Sequence, residues 1–201
     1  MKPVRTIEKL RSGNPATIVA IGDSLTQGWM VRKGYLDFLE EMLAVKYPDA
    51  RFRIVNQGIP GDTAEGGAYR VQEDVIDCRP DCVLIQFALN DAYAGFSPAS
   101  FERNIQKMID RIRNSTDAEI VLVTSTYMAD TEENSHALEF YRRLERLAGK
   151  NSLPIAMVHE YWKKKIEEGI DFRELVQYDL VHPTVEGYRL MAEAVMEVFE
   201  P

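Results

Sequence analysis

Of the three histidines in the chain, only His182 combines a carboxylate three residues ahead, in the run Asp179-Leu180-Val181-His182, with a proline fixing the adjoining backbone. A carboxylate beside an imidazole fixes its tautomer and stabilises its charged form, which equips it to take a proton from a weak nucleophile. The nucleophile on offer is Ser24 in "AIGDSLTQG" (20–28), where a serine follows directly on an apolar run. Ser24, His182 and Asp179 therefore read as nucleophile, base and orienter for acyl transfer. The oxyanion formed in such a reaction needs prearranged donors. The backbone N–H groups of Ser24 and Gly61 and the side-chain amide of Asn90 are the candidates.

The neighbouring polar residues have plainer readings. Asp23, directly before the serine, braces the turn through backbone hydrogen bonds, and Asp62 and Asp91 hold their loops in the same way. His136 follows the polar run "DTEENS" and reads as a solvated surface residue. His159 ends an apolar strand and reads as a buried partner.

For these residues to meet, the chain must bring segments 158 positions apart to one place. Apolar runs recur at 17–22, 51–58, 82–90, 119–126 and 153–159, and segments of helical periodicity separate them. Helices are expected over 35–47, 63–76, 136–150, 161–168 and 184–199. Another follows Ser97 and Pro98, where Phe101, Ile105, Met108, Ile109 and Ile112 share one face beneath a serine cap. Pro183 is expected at the first position of the last helix. Strand and helix alternate throughout, which predicts one α/β domain over 1–201: a flavodoxin-like three-layer α/β/α sandwich around a five-stranded parallel sheet in the order 2-1-3-4-5. Ligands of such sheets bind at the carboxyl ends of the strands. Ser24, the "GIPGDT" loop (58–63) and Asn90-Asp91 follow the first three strands at that rim.

Composition narrows the function further. With 24 Lys and Arg against 32 Asp and Glu, the net charge of -8 opposes binding to nucleic acid or an anionic membrane. The first fifteen residues hold no apolar stretch of leader or anchor length, so a cytoplasmic protein without a membrane anchor is expected. Cys78 and Cys82 are too few for a disulfide framework and lack the second pair of a zinc site. Gly58 and Gly61 lack the rest of a nucleotide-binding fingerprint. No metal or cofactor is expected, and nothing in the residues sets an oligomeric state.

Four blocks, "GDSLTQG", "NQGIPGDT", "ALND" and "DLVH", occur in this order across most of the chain. In this the sequence resembles the SGNH hydrolase superfamily, the GDSL-type esterases and lipases. The resemblance implies metal-free hydrolysis of small-molecule esters or thioesters through an acyl-enzyme, with the residue roles already named. One position departs from the pattern: Ala88 stands where the third block usually has glycine. A negative φ there would tolerate the methyl group, whereas a positive φ would disturb Asn90. Trp29, Tyr93, Phe96 and Tyr127 are the apolar candidates for substrate contact at the strand ends, each equally readable as an anchor for its own loop. Short connections leave little material for a lid, so acyl groups of about two to eight carbons are expected. Carbohydrate O-acetyl esterase, lysophospholipase and thioesterase activities all need the same machinery. A noncatalytic binding module, or a flavodoxin-like signalling or cofactor protein, are the alternatives from other classes.

Overall fold

The strands form where β-branched and aliphatic residues can be buried on both faces of a parallel sheet. In the computed structural model, which describes residues 1–200, they are β1 (Ala16–Gly22), β2 (Phe52–Gly58), β3 (Cys82–Gln86), β4 (Glu119–Val123) and β5 (Ile155–Ala156). All pairs are parallel and the order is β2-β1-β3-β4-β5, as the sequence predicts. The helices are α1 (Val4–Ser12), α2 (Ser24–Gln27), α3 (Tyr35–Lys46), α4 (Ala64–Asp74), α5 (Leu89–Tyr93), α6 (Pro98–Ser115), α7 (Thr131–Asn151), α8 (Val158–Glu167), α9 (Phe172–Leu175) and α10 (Val185–Phe199). Helix α10 packs on α3 and α8, while α6 lies between α4 and α7, giving a helical layer on each face of the sheet. None of the described helices is long and apolar enough to cross a membrane.

Several boundaries differ from the sequence reading, each for a local reason. Strand β3 stops at Gln86, because the chain turns at Phe87-Ala88 into the short helix α5. Strand β5 pairs only opposite Leu122 and Val123, and the chain then enters α8 at Val158. His159 accordingly begins a helix. It is buried as expected, with its Nδ1 2.9 Å from Thr124 Oγ1, and burial pushes its pKa down to about 4. Helix α7 starts at Thr131, within the polar run read as a loop, because the Asp130 carboxylate accepts the Glu132 and Glu133 N–H groups. Helix α1 was not foreseen; it buries Ile7 and Leu10 and ends at Gly13 in the left-handed region.

What matters for the site is one row of the sheet. Gly58, Gly22, Gln86, Val123 and Ala156 lie side by side in register at the carboxyl ends of the strands. Helix α2 crosses this row so closely that a Cβ on Gly58 would strike the Gln27 backbone, and one on Gly22 would strike Thr26 Oγ1. Both glycines are therefore demanded by close approach rather than by φ.

This contact generates a stability contrast. Gly58→Ala must shift α2 against its own backbone, and a cost of about 1–3 kcal/mol is expected in a urea melt. Gly149→Ala places a methyl on an exposed helical position with open space around it, and a gain of about 0.5–1 kcal/mol is expected. Equal melts for the two variants would refute the close-packing argument.

Candidate active site

The serine is presented by a sharp strand-to-helix turn. Asp23 leaves the sheet in an extended conformation and caps α2, its Oδ1 accepting the Leu25 N–H at 2.9 Å. Ser24 thereby becomes the first residue of α2, and its side chain faces the rim. The helix ends after one turn at Gly28, with φ at 85°, where both Gly28 and Trp29 donate their N–H groups to Ser24 O at 3.1 Å.

The imidazole arrives on the loop between α9 and α10. Its Nε2 lies 3.0 Å from Ser24 Oγ and its Nδ1 lies 2.7 Å from Asp179 Oδ2. The Asp179 carboxylate also accepts the N–H groups of Val181 and His182, at 3.0 and 2.9 Å. Partial burial works to raise its pKa, but these amides and the imidazole outweigh it and hold the carboxyl below its ordinary value. Gln177 closes the loop: its N–H donates to His182 O at 2.7 Å, and its side-chain amide donates to Pro183 O and Trp29 O. The last helix begins one step later than expected. Thr184 is its cap, accepting Gly187 N–H at 3.2 Å, and Pro183 lies just outside the helix.

The candidate oxyanion donors come from three strand ends. Ile59-Pro60-Gly61-Asp62 forms a tight turn with Asp62 N–H bonded to Ile59 O at 3.1 Å, and Gly61 takes a φ of 78° that few other residues accept. Among the described residues, no acceptor takes up the N–H of Ser24 or of Gly61. Asn90 donates one Nδ2 hydrogen to Asp62 O at 2.9 Å, which fixes the amide plane and leaves its second hydrogen free. Ala88 has a φ of 161°, extended rather than left-handed, and its methyl group is fully buried in the core. Asn90 is therefore anchored despite the missing glycine.

Beneath the serine lies a polar floor. Gln86, fully buried, accepts from Thr26 Oγ1 at 2.8 Å and donates to Ser125 Oγ at 2.9 Å and Asp23 Oδ2 at 3.4 Å. Burial pushes the Asp23 carboxyl up to about 7, against the opposing effect of the Leu25 N–H and the Gln86 amide. Burial likewise lifts Asp91 to about 6, although both of its oxygens receive Ala64 N–H at 3.1 Å. These aspartates brace their turns as expected. Gln86 was missed in the sequence; its signal was a lone amide closing an otherwise apolar strand. Arg70, Gln177 and Tyr188, whose hydroxyl accepts the Trp29 N–H at 3.0 Å, carried no such signal.

Of the four apolar candidates, Trp29 lies against the site, its ring centroid 6.1 Å from that of His182. Tyr93 is half-exposed at the end of α5, and nearby carboxylates including Asp179 add to the burial that raises its pKa. Tyr127 packs edge-on against Phe172, in keeping with a loop anchor. Phe96 is half-buried and closes the α5 turn through its N–H to Asp91 O. His136 is exposed, with its Nε2 3.3 Å from Ala92 O.

Against known proteins, the model of the GDSL-like lipase/acylhydrolase family matches residues 20–190. The chain belongs to that family. As a family member it is a hydrolase of ester bonds. It is 22% identical to the acetylxylan esterase of Geobacillus stearothermophilus, over 93% of this chain and 95% of that one. To thioesterase 1/protease 1/lysophospholipase L1 of Escherichia coli it is 23% identical, over 95% and 86% of the two chains. The crystal structure of the acetylxylan esterase Axe2 superposes with a TM-score of 0.83 at 21% identity, covering 92% of this chain and 94% of that one. Catalytic mutants of Axe2 replace a serine, an aspartate and a histidine by alanine.

The raised Asp23 pKa carries a sign that can be measured. Between about pH 4, where an unfolded aspartate ionises, and about pH 7, the native state holds a proton that the unfolded state has lost. Stability from this group is thus greatest below about pH 4 and falls as pH rises toward about 7. Thermal melts across this range should therefore shift in favour of Asp23→Asn relative to wild type as pH increases, then level off. A difference that stays constant with pH would count against a buried, protonated Asp23.

Proposed function

We propose that this family member is a serine esterase that cleaves short-acyl carboxylic esters through an acyl-enzyme. The observation that carries the reading is the continuous hydrogen-bonded chain from Asp179 through His182 to Ser24. In this account His182 Nε2 takes the Ser24 hydroxyl proton as Oγ attacks the ester carbonyl carbon. Asp179 holds Nδ1 protonated and stabilises the imidazolium that results. The negative oxygen of the tetrahedral species faces the Ser24 and Gly61 N–H groups and the free hydrogen of the Asn90 amide. Each such donor contributes about 2.7 to 4 kcal/mol to the transition state. Collapse expels the alcohol, which receives the proton from His182, and water repeats the sequence on the acyl-enzyme. The catalytic mutants of Axe2 concern the same three residue types, which supports the assignment.

The surroundings favour a neutral leaving group. A cavity of about 470 Å³ lies between α5 and the start of α7, lined by Leu89, Ala92 and Tyr93 of the helix that carries Asn90 and by His136, and bordered by Asp130, Glu132 and Glu133. Carboxylates so placed repel the phosphates of a coenzyme thioester or a lysophospholipid and admit an uncharged hydroxylated one. The full-length similarity to an acetylxylan esterase points the same way, so an acetylated carbohydrate is the preferred substrate class. The small intracellular esters open to a cytoplasmic enzyme are the setting we infer for it.

The test is the hydrolysis of p-nitrophenyl acetate, butyrate and octanoate by wild type and by Ser24→Ala and Asn90→Ala. Activity should vanish into background in Ser24→Ala and fall by about a hundredfold or more in kcat for Asn90→Ala. The acetate or butyrate ester should have the highest kcat/KM. Turnover surviving in Ser24→Ala would remove the nucleophile, and a loss below about threefold would remove Asn90 from the oxyanion hole. Greater efficiency on octanoate would overturn the short-acyl assignment. Among natural esters, acetylated xylo-oligosaccharide should exceed both a lysophospholipid and an acyl-coenzyme A thioester in kcat/KM.

A further inference from the structure

Arg70 has no place in the proton-transfer chain, yet its guanidinium touches nearly every segment that supplies a candidate oxyanion donor. It projects from α4 and is almost wholly buried, with 12% of the side chain exposed. Its Nε donates to Asp62 Oδ2 at 2.8 Å, Nη2 to Gly22 O at 3.0 Å, and Nη1 to Gln57 O at 2.9 Å and to Asp74 Oδ2 at 2.7 Å. Gly22 closes β1 two residues before Ser24, and Gln57 lies one residue from the end of β2. Asp62 directly follows Gly61 and presents its carbonyl oxygen to the Asn90 amide.

The planar fork of a guanidinium makes these bonds in fixed relative directions, which a flexible ammonium does not reproduce. The loop is shaped for the contact. Gly66 leaves room for the Asp62 carboxylate, which a Cβ there would strike, and the other carboxylate oxygen of Asp62, Oδ1, accepts the Thr63 N–H at 2.8 Å. Gly22 O is shared with the Ile59 N–H at 3.0 Å, so the turn containing Gly61 is tied to β1 twice.

We propose that Arg70 is the positioning residue of the oxyanion hole, setting the Ser24 turn, the Gly61 turn and Asn90 relative to one another. This rests on the esterase reading above. Arg70 touches no substrate; it acts through the Asp62 carboxylate and the Gly22 and Gln57 carbonyls. A donor displaced by a fraction of an ångström binds the ground-state ester almost as before but loses the oxyanion, so the effect belongs in kcat rather than in KM.

The experiment is a double-mutant cycle on p-nitrophenyl acetate, with Arg70→Lys, Asn90→Ala and the pair, and Asp74→Asn as the control for simple loss of an ion pair. Arg70→Lys should lower kcat by about ten- to a hundredfold and change KM by less than about threefold. Because the Asn90 amide would already be misplaced, Asn90→Ala should cost far less in the Arg70→Lys background than its full hundredfold in wild type. Asp74→Asn removes the charge from a bond to Arg70 that leads to no donor, and its kcat should stay within about threefold of wild type.

Additive effects of Arg70→Lys and Asn90→Ala would overturn the proposal. So would a loss of kcat in Asp74→Asn equal to that in Arg70→Lys at a matched fall in melting temperature. Should Arg70→Lys be unfolded at the assay temperature, Asp62→Asn weakens the same bridge and must show the same non-additivity with Asn90→Ala. A wild type that hydrolyses no ester and takes no fluorophosphonate label at Ser24 would instead overturn the esterase reading itself, and this inference with it.

Discussion

Everything polar in the site is measured from one row of the sheet, in which Gly58, Gly22 and Gln86 stand in register. Parallel pairing brings all the carboxyl ends of the strands to the same rim, so that row sets a common origin for the loops that follow. Ser24 lies two residues beyond it, Gly61 three and Asn90 four. Two of the three row positions have no Cβ because α2 crosses directly above them, and the third supplies the buried amide that holds Asp23, Thr26 and Ser125 together. The serine turn is rigid because it is pressed onto backbone below and bonded to a side chain that has no alternative partner in water.

That compactness creates an electrostatic problem. Asp23, Asp62 and Asp91 surround the region where the proposed reaction builds negative charge, and three carboxylates there would work against an oxyanion. Two are answered by burial, which raises Asp23 to about 7 and Asp91 to about 6, so neutral forms persist into the near-neutral range. The third is answered by pairing, since Asp62 faces the Arg70 guanidinium and the Thr63 N–H. The floor of the site therefore carries less negative charge than its sequence suggests.

The fold was legible because its signals are periodic. Apolar runs separated by amphipathic segments specify a parallel sheet, and right-handed crossovers leave few strand orders to choose from. The juxtaposition of Ser24, Asp179 and His182 was legible for a different reason: their types restrict what they can do, and their blocks mark them. Boundaries were less clear wherever a side chain decides the outcome. The Asp130 cap that starts α7 and the turn at Ala88 that ends β3 depend on single hydrogen bonds and on a backbone angle. Arg70 was invisible for a further reason. An arginine in the middle of an amphipathic helix has the pattern of a solvated residue, and only the folded chain reveals that three acceptors from the ends of β1 and β2 and the loop after β2, with Asp74 of its own helix, converge on it.

The two halves of the site are built differently. The proposed oxyanion donors belong to the sheet rim, where hydrogen bonds tie each one's segment to a neighbouring strand end or loop. The proposed base and its orienting acid, His182 and Asp179, instead lie on one loop, three residues apart, joined to the body by Gln177 and by the turn into α10. Leu180, between them, takes a φ of 60°, a left-handed conformation that a branched apolar residue adopts only when its neighbours dictate it. Here the dictating bonds are those from Val181 N–H and His182 N–H to the Asp179 carboxylate, which curl the loop around its own acid. Among the described residues, the contact of His182 with Ser24 is the one hydrogen bond from the imidazole to the rim. In the proposed mechanism, charge stabilisation is thus a property of the sheet, whereas proton transfer is a property of one self-bracing loop that meets the sheet at a single oxygen.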